Sequence, residues 1–158
     1  MKNKSLDRFD HAILDLLQKD TSLGLTEIAE RVQLSPTPCW RRIQNLEKLG
    51  IIRKRVALLD PLQLNLGVTV FVSVRTNQHN ATWLQNFADV VSTVPEVTEV
   101  YRLSGDVDYL LKVVVPDISG YDAVYKKIIG RIELFDVSSS FSMEQLKYTT
   151  ELPLGYAG

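Results

Sequence analysis

Leu34-Ser-Pro-Thr-Pro-Cys-Trp-Arg-Arg-Ile-Gln-Asn-Leu-Glu-Lys-Leu-Gly50 is the stretch on which the reading of this chain turns. Ser35 before Pro36 is an N-cap residue followed by proline at the first helical position, a helix start. Gly50 stands where a helix end needs a left-handed residue. At 100° per residue the helix between them has two unlike sides. Cys39, Ile43 and Leu46 share one, with Gly50 below them, and this is the expected buried face. Thr37, Arg41, Gln44 and Lys48 lie opposite. Arg42, Asn45 and Pro38 flank one edge, and Trp40 and Glu47 the other. Trp40 is expected to pack against neighbouring helices, and Cys39 to be a buried thiol with little tendency to ionise.

The residues before this helix form two more. Leu6, Phe9, Ile13, Leu16 and Leu17 follow the spacing of one apolar helix face. After Gly24, Thr26–Val32 makes two turns that bury Ile28, Ala29 and Val32, and Gln33-Leu34 is a tight turn. A short helix, a turn and an outward polar helix make a helix-turn-helix. In that setting Arg41 can bond guanine and Gln44 adenine, with Thr37, Arg42 and Asn45 beside them. Lys48 reaches phosphate, and Ser35 with the free amides of the helix start can hold a phosphate oxygen. Ile51–Leu59 mixes apolar and basic residues and reads as two short strands. Arg53, Lys54 and Arg55 there would form a wing lying on the DNA backbone.

Charge agrees with this placement. The 158 residues carry 18 Lys/Arg and 19 Asp/Glu, a net of −1. Residues 1–60 hold eleven bases and eight acids, a net of +3, and residues 61–158 hold seven and eleven, a net of −4. Within 31–55 seven bases face one acid, Glu47, a local net of +6. A basic segment on a near-neutral chain is a polyanion footprint. The plain alternative is a solvated charged face.

The second part has another rhythm. Val68–Thr76 is a strand rich in β-branched residues, Trp83–Val94 is helical, and Val97–Leu103 and Tyr109–Val115 are strands. Tyr121–Ile132 is helical and Val137–Met143 a strand. The order βαββαβ predicts a ferredoxin-like sandwich with one sheet face open. The expected class is therefore α+β. A winged helix-turn-helix occupies residues 1–60, a linker 61–66, and a ferredoxin-like domain 67–158.

Ser104-Gly-Asp-Val-Asp108, joining the two middle strands, is the candidate small-molecule site. Gly105 allows a tight loop whose amides suit a carboxylate. Asp106 or Asp108 can take an ammonium group through a charge-assisted bond. An ordinary polar hairpin turn uses the same residues. Ser138, Ser139 and Ser140 on the last strand are secondary candidates.

Other chemistries find little support. His11 and His79 lack partners at metal-ligand spacing, so no metal site is expected, and His79 reads as a loop residue. There is no phosphate-cradling loop, dinucleotide fingerprint or nucleophile elbow, and no cofactor is expected. Asp106 and Asp108 have no nucleophile or base beside them, which argues against an enzyme. One cysteine excludes an internal disulfide. No apolar run reaches the roughly 18 residues of a membrane span, and the N-terminus carries no signal-peptide core. A cytoplasmic protein is expected.

Several segments together resemble the Lrp/AsnC family of feast/famine regulators. They are Leu6–Asp10, Leu14–Gln18, Leu34–Ile43, Leu46–Ile51, Ser104–Lys112, Val115–Asp117, Ser139–Phe141, Lys147–Thr150 and Leu152-Pro153. The match runs in order along nearly the whole chain. The resemblance implies a DNA-binding transcription regulator with an amino-acid-sensing (RAM/ACT-like) second domain. It also implies double-stranded DNA as partner, and homodimers that assemble into tetramers or octamers. A small amino acid would bind between second domains and shift assembly or DNA affinity, with Ser104, Gly105, Asp106 and Asp108 at the site. Thr37–Trp40, Val56–Pro61 and Met143–Gln145 are similar to an enterobacterial branch that responds to cysteine, so cysteine and leucine are the effectors to consider. Two other readings remain: an architectural DNA binder without a ligand, and a small ferredoxin-like enzyme.

Overall fold

The computed structural model describes residues 6–78 and 80–157. His79, read above as a loop residue, lies outside them. The chain divides into two compact units. One holds the residues up to Leu58 together with those from Lys147 onward, and the other is Leu59–Leu146.

The first unit is built on three helices. α1 (Arg8–Lys19) begins at a reciprocal cap. The Asp7 carboxylate accepts from the amides of Phe9 and Asp10 at 2.8 and 3.0 Å, and the Asp10 carboxylate accepts from the Asp7 amide at 3.3 Å. These bonds satisfy donors that a helix start otherwise leaves open. α2 (Leu25–Arg31) and α3 (Pro36–Lys48) follow. Between them Gln33 takes a left-handed conformation (φ +57°), and the Leu34 amide donates to the Ala29 carbonyl at 2.8 Å. α3 ends through Gly50 at φ +72°. The amides of Gly50 and Ile51 return to the carbonyls of Glu47 and Leu46, the pairing that lets a helix stop sharply. Ile13, Leu14 and Leu17 of α1, Ile28 and Ala29 of α2 with Val32 after it, and Cys39, Ile43 and Leu46 of α3 form one core.

Arg42 joins the start of α1 to the middle of α3. Its guanidinium lies 2.7 Å from Asp7 and 2.8 Å from Asp10, and 5.2 Å from the centre of the Phe9 ring. The Asp7 carboxyl is held below its ordinary value of 3.8, first by the hydrogen bond from the Asp10 amide; desolvation opposes this, and the Arg42 guanidinium and the Phe9 amide add to the lowering.

Ile51–Leu59 forms no strand, so the expected two-stranded wing is absent. The reason is local. A hairpin within nine residues needs a two-residue turn of Gly, Asn or Asp type, and this stretch contains none of them. The Ile51 and Ile52 amides close the end of α3 on the Leu46 carbonyl, and residues 53–59 pair with no strand, with Val56, Leu58 and Leu59 exposed.

The last residues return to the helices rather than to the sheet. Leu152 exchanges two hydrogen bonds with the Gln18 side chain, at 2.9 Å through its amide and 3.3 Å through its carbonyl. Leu154, in a short turn of 3-10 helix (Leu154–Tyr156), packs against the helical core.

In the second unit a 3-10 turn (Leu62–Leu64) leads into β1 (Val68–Arg75), α4 (Ala81–Ser92), β2 (Val97–Arg102), β3 (Tyr109–Val115), α5 (Ile118–Ile129) and β4 (Asp136–Phe141). The strands lie in the order β2-β3-β1-β4, with every neighbour antiparallel. Period-2 alternation sorts the side chains. Val70, Val72 and Val74 of β1 and Tyr109, Leu111, Val113 and Val115 of β3 are buried with Trp83, Phe87, Tyr121, Val124 and Ile128 of the two helices. Trp83 stacks on Phe87 at 5.1 Å, and its indole N–H donates to the Glu133 carbonyl at 3.1 Å. Both helices cover this one face.

Three outcomes follow. Arg42→Ala should cost the helical unit about 1–2 kcal/mol in urea unfolding, the scale of a partly exposed ion pair plus packing. Asp7 has a depressed folded-state pKa, so its contribution is complete above pH ~4 and is lost as pH falls through that lowered value. Asp7→Asn should therefore flatten the acid side of the stability profile, and an unchanged profile would remove Asp7 from the account. Deleting residues 152–158 should lower stability by about 2 kcal/mol through loss of Leu154 burial and two hydrogen bonds. Amide exchange should rise in α1, and equal protection with and without the tail would contradict that packing.

Candidate nucleic-acid interface and effector loop

The recognition surface follows from how α3 is held. Cys39, Ile43 and Leu46 are almost fully buried, so the other side of the helix must face solvent. Thr37, Arg41, Gln44, Asn45 and Lys48 are all exposed. Burial pushes the Cys39 thiol up, away from the thiolate. Ser35 occupies the N-cap position, but its hydroxyl makes no capping bond, leaving that oxygen and the Thr37 amide open; Pro36 and Pro38 carry no N–H, so the helix start offers fewer amides than expected.

The basic side chains fall into two groups. Among the described residues, Arg41, Lys48, Arg53 and Lys54 make no ion pair. Arg42 and Arg55 do. Arg42, expected beside the DNA, is committed to Asp7 and Asp10 and fixes the orientation of α3 on α1. Arg55 reaches back to Glu47 at 2.8 Å, and the other oxygen of the same carboxylate accepts from the Gln44 amide at 2.9 Å. Glu47, the one acid of the basic segment, thus holds one base-reading candidate and one backbone-contact candidate.

Trp40 departs from expectation. It is 51% exposed rather than packed in the bundle. The wheel gives the reason: Trp40 lies about a quarter turn from the Cys39–Ile43–Leu46 face, and those three side chains already fill the contact with α1 and α2.

In the second unit the β2–β3 connection places Ser104, Gly105 and Asp106 in solvent, with Gly105 at φ +136°, a conformation suited to glycine. Asp108 is set apart from them. Its carboxylate accepts from the Thr76 amide at 2.8 Å, and its amide and carbonyl bond to Val74 and Leu103. Asp108 therefore ties the loop to the end of β1, while Asp106 stands at the tip without a hydrogen-bond partner among the described residues. The loop and the start of β4 lie at the same end of the sheet, on either side of β1.

The three serines of β4 divide by strand alternation. Ser139 points to the helices and hydrogen-bonds the Tyr121 hydroxyl, whose own proton is held more tightly because the ring is buried. Ser138 and Ser140 sit opposite Ser73 and Phe71 on the open face. That face also carries a network not anticipated from the sequence. The Glu99 carboxylate accepts from Lys112 at 2.9 Å and from the Tyr101 hydroxyl at 2.5 Å. The hydrogen bond from Tyr101, followed by that from Lys112, holds Glu99 below the usual carboxylate range. Its signal was a lysine in the otherwise apolar strand Tyr109–Val115.

Among the described residues no group of three or more His, Cys, Asp or Glu side chains is placed to hold a metal ion. No helix among them is long and apolar enough to cross a membrane.

Known proteins carry the same two parts in the same order. Residues 6–47 match the AsnC-type helix-turn-helix domain, and residues 69–152 match the Lrp/AsnC ligand binding domain. The glutamate uptake regulatory protein of Zymomonas mobilis is 53% identical over 151 residues, covering 96% of this chain and 92% of that protein. The crystal structure of an AsnC family transcriptional regulator from Agrobacterium tumefaciens is 62% identical, with a TM-score of 0.93 over 96% of this chain and 99% of the other. A transcriptional regulator of Neisseria meningitidis, crystallised in complex with L-Met, is 37% identical, with a TM-score of 0.90 over the same shares. These relatives are regulators of transcription, not enzymes. A helix-turn-helix unit followed by a ligand-binding βαββαβ unit, matched over nearly the full chain, makes this protein a member of the Lrp/AsnC family of DNA-binding transcriptional regulators.

Proposed function

We propose that the outward side of α3 reads DNA in the major groove and that a small amino acid, held at the Ser104–Asp108 loop, sets the DNA affinity or assembly of the protein. The observation that carries this reading is the two-sided α3. Its buried side is locked into a bundle, and its exposed side presents Thr37, Arg41, Gln44, Asn45 and Lys48. Arg41 and Gln44 read base edges, and Lys48 contacts phosphate. Ser35, Arg53, Lys54 and Arg55 contact the backbone, the last three from a segment that pairs with no strand rather than from a two-stranded wing. Arg42 acts one step back by orienting the helix.

The effector reading is supported by the exposed glycine loop and by the Neisseria relative, whose structure holds L-Met. Asp106 takes the α-ammonium and the loop amides near Gly105 take the α-carboxylate. Asp108 shapes the loop. Ser138 and Ser140, on the open face, complete the site from a second copy, and Ser139 stays with Tyr121. Cysteine, leucine and methionine are the first effectors to try.

Homodimers fit two features. Residues 53–60 pair with no strand and expose Val56, Leu58 and Leu59, and the open sheet face shows Phe71. Exposed apolar side chains on an irregular segment and an uncovered sheet face both call for a partner, and a second copy supplies one for each. Dimers then associate into tetramers or octamers in the cytoplasm, where the DNA is.

The test is fluorescence anisotropy of a labelled duplex from the region upstream of the gene against a scrambled duplex, with and without single amino acids. Preference for the native duplex and a shift by one amino acid are expected. Equal binding to both duplexes with no shift would favour an architectural role. Arg41→Ala should weaken the native duplex by about 1–3 kcal/mol and the scrambled one much less. Equal loss on both would make Arg41 a phosphate contact. Asp106→Ala should abolish the amino-acid response while DNA affinity stays within twofold, about 0.4 kcal/mol. Undiminished amino-acid binding in calorimetry would take Asp106 out of the site.

A further inference from the structure

We propose that Trp40 is a specificity-determining residue that packs its indole against a thymine methyl group in the major groove. The proposal rests on the reading of α3 as the DNA-contacting helix and goes beyond the polar residues assigned to it.

The chain has two tryptophans, and they are treated in opposite ways. Trp83 is buried, stacked on Phe87, and its indole N–H is bonded. Trp40 is 51% exposed, and among the described residues its ring neither stacks nor hydrogen-bonds. An indole is the largest apolar surface a side chain offers, and its usual place is a core or an interface.

The surroundings decide what covers it. Along α3, Trp40 lies between Thr37 and Gln44, one helical turn from each, and beside Arg41, all polar and exposed. Protein interfaces are built around an apolar centre depleted in charge. Here an indole projects among Thr37, Arg41 and Gln44 from a segment with a local net charge of +6 over residues 31–55, and the other exposed large apolar side chains of that segment, Leu49 and Ile51, lie past the end of α3. That combination complements a duplex. The phosphates meet the cations, and the thymine C5-methyl is the apolar group the major groove displays. Trp40 also lies in the N-terminal half of the helix, the part that contacts base edges in helix-turn-helix docking.

A methyl-deletion cycle tests this. Each thymine of the native duplex is replaced in turn by deoxyuridine, which lacks only the C5-methyl. Binding is measured for the native protein and for Trp40→Ala, with Trp40→Phe as an intermediate. At least one replacement is expected to weaken the native protein about fourfold, the worth of one buried methyl, and to leave Trp40→Ala unchanged. Trp40→Ala should melt with the native protein, because the side chain it removes is not part of the core. The native protein should also show a fluorescence change on the duplex that Trp40→Phe, which retains Trp83, does not. If every deoxyuridine duplex affects both proteins alike, the proposal fails while DNA reading by α3 stands. If Trp40→Ala changes the sedimentation of the DNA-free protein, Trp40 belongs to a contact between copies and the proposal fails. If neither protein binds the duplex in a salt-dependent way, the DNA reading itself fails.

Discussion

Burial of Cys39, Ile43 and Leu46 under α1 and α2 is the constraint on which the rest of the first unit depends. Those three side chains set the rotation of α3 about its own axis, and a helix has only one other side to show. The Asp7–Asp10–Arg42 cluster strengthens that choice from the edge. It uses the capping carboxylates of α1 twice, once for the helix start and once for a guanidinium on α3. Gly50 then ends α3, so that Arg53, Lys54 and Arg55 do not prolong the helix. These apolar and ionic contacts fix which side of α3 carries Thr37, Arg41, Gln44 and Lys48.

The second unit obeys a similar asymmetry with a different period. Alternation along β1 and β3 places valine, leucine and tyrosine under α4 and α5, and serine, lysine and phenylalanine on the other side. Because both helices cover the same face, the opposite face stays open. The charged cluster of Glu99, Tyr101 and Lys112 keeps its β2 end polar, while Phe71 marks its apolar middle. The two units share more than one chain crossing, since Lys147 onward belongs with the helices although it follows β4. Within the helical unit Leu152 bonds the Gln18 side chain of α1, and Leu154 packs on the helical core.

What could be read in the sequence was whatever local chemistry decides. Ser35-Pro36 and Gly50 bounded α3 to within a residue, and the apolar periods gave the βαββαβ order with shifts of only a few residues at helix α5 and strand β4. The outward set of Thr37, Arg41, Gln44 and Lys48 came from the wheel alone. What could not be read depends on neighbours far along the chain. Arg42 looks like any basic residue until Asp7 and Asp10 are seen beside it. Trp40 looks like core until three smaller side chains are found to have filled the space. Asp106 and Asp108 are equivalent in sequence, yet Thr76 engages only one of them. Ser138, Ser139 and Ser140 are separable only once register is known. The absent wing was legible in principle, since Ile51–Leu59 lacks any turn-forming pair.

The central claim is that the side of α3 opposite its buried triad is the surface that meets DNA. Mapping amide and side-chain NMR shifts as the duplex is added tests it most directly. Changes are expected to concentrate on Ser35, Thr37, Arg41, Lys48 and the Gln44 side-chain amide, with Arg53 and Lys54 following and Ile13, Leu17 and Ile43 still. Changes confined to the open sheet face, with α3 silent, would contradict it.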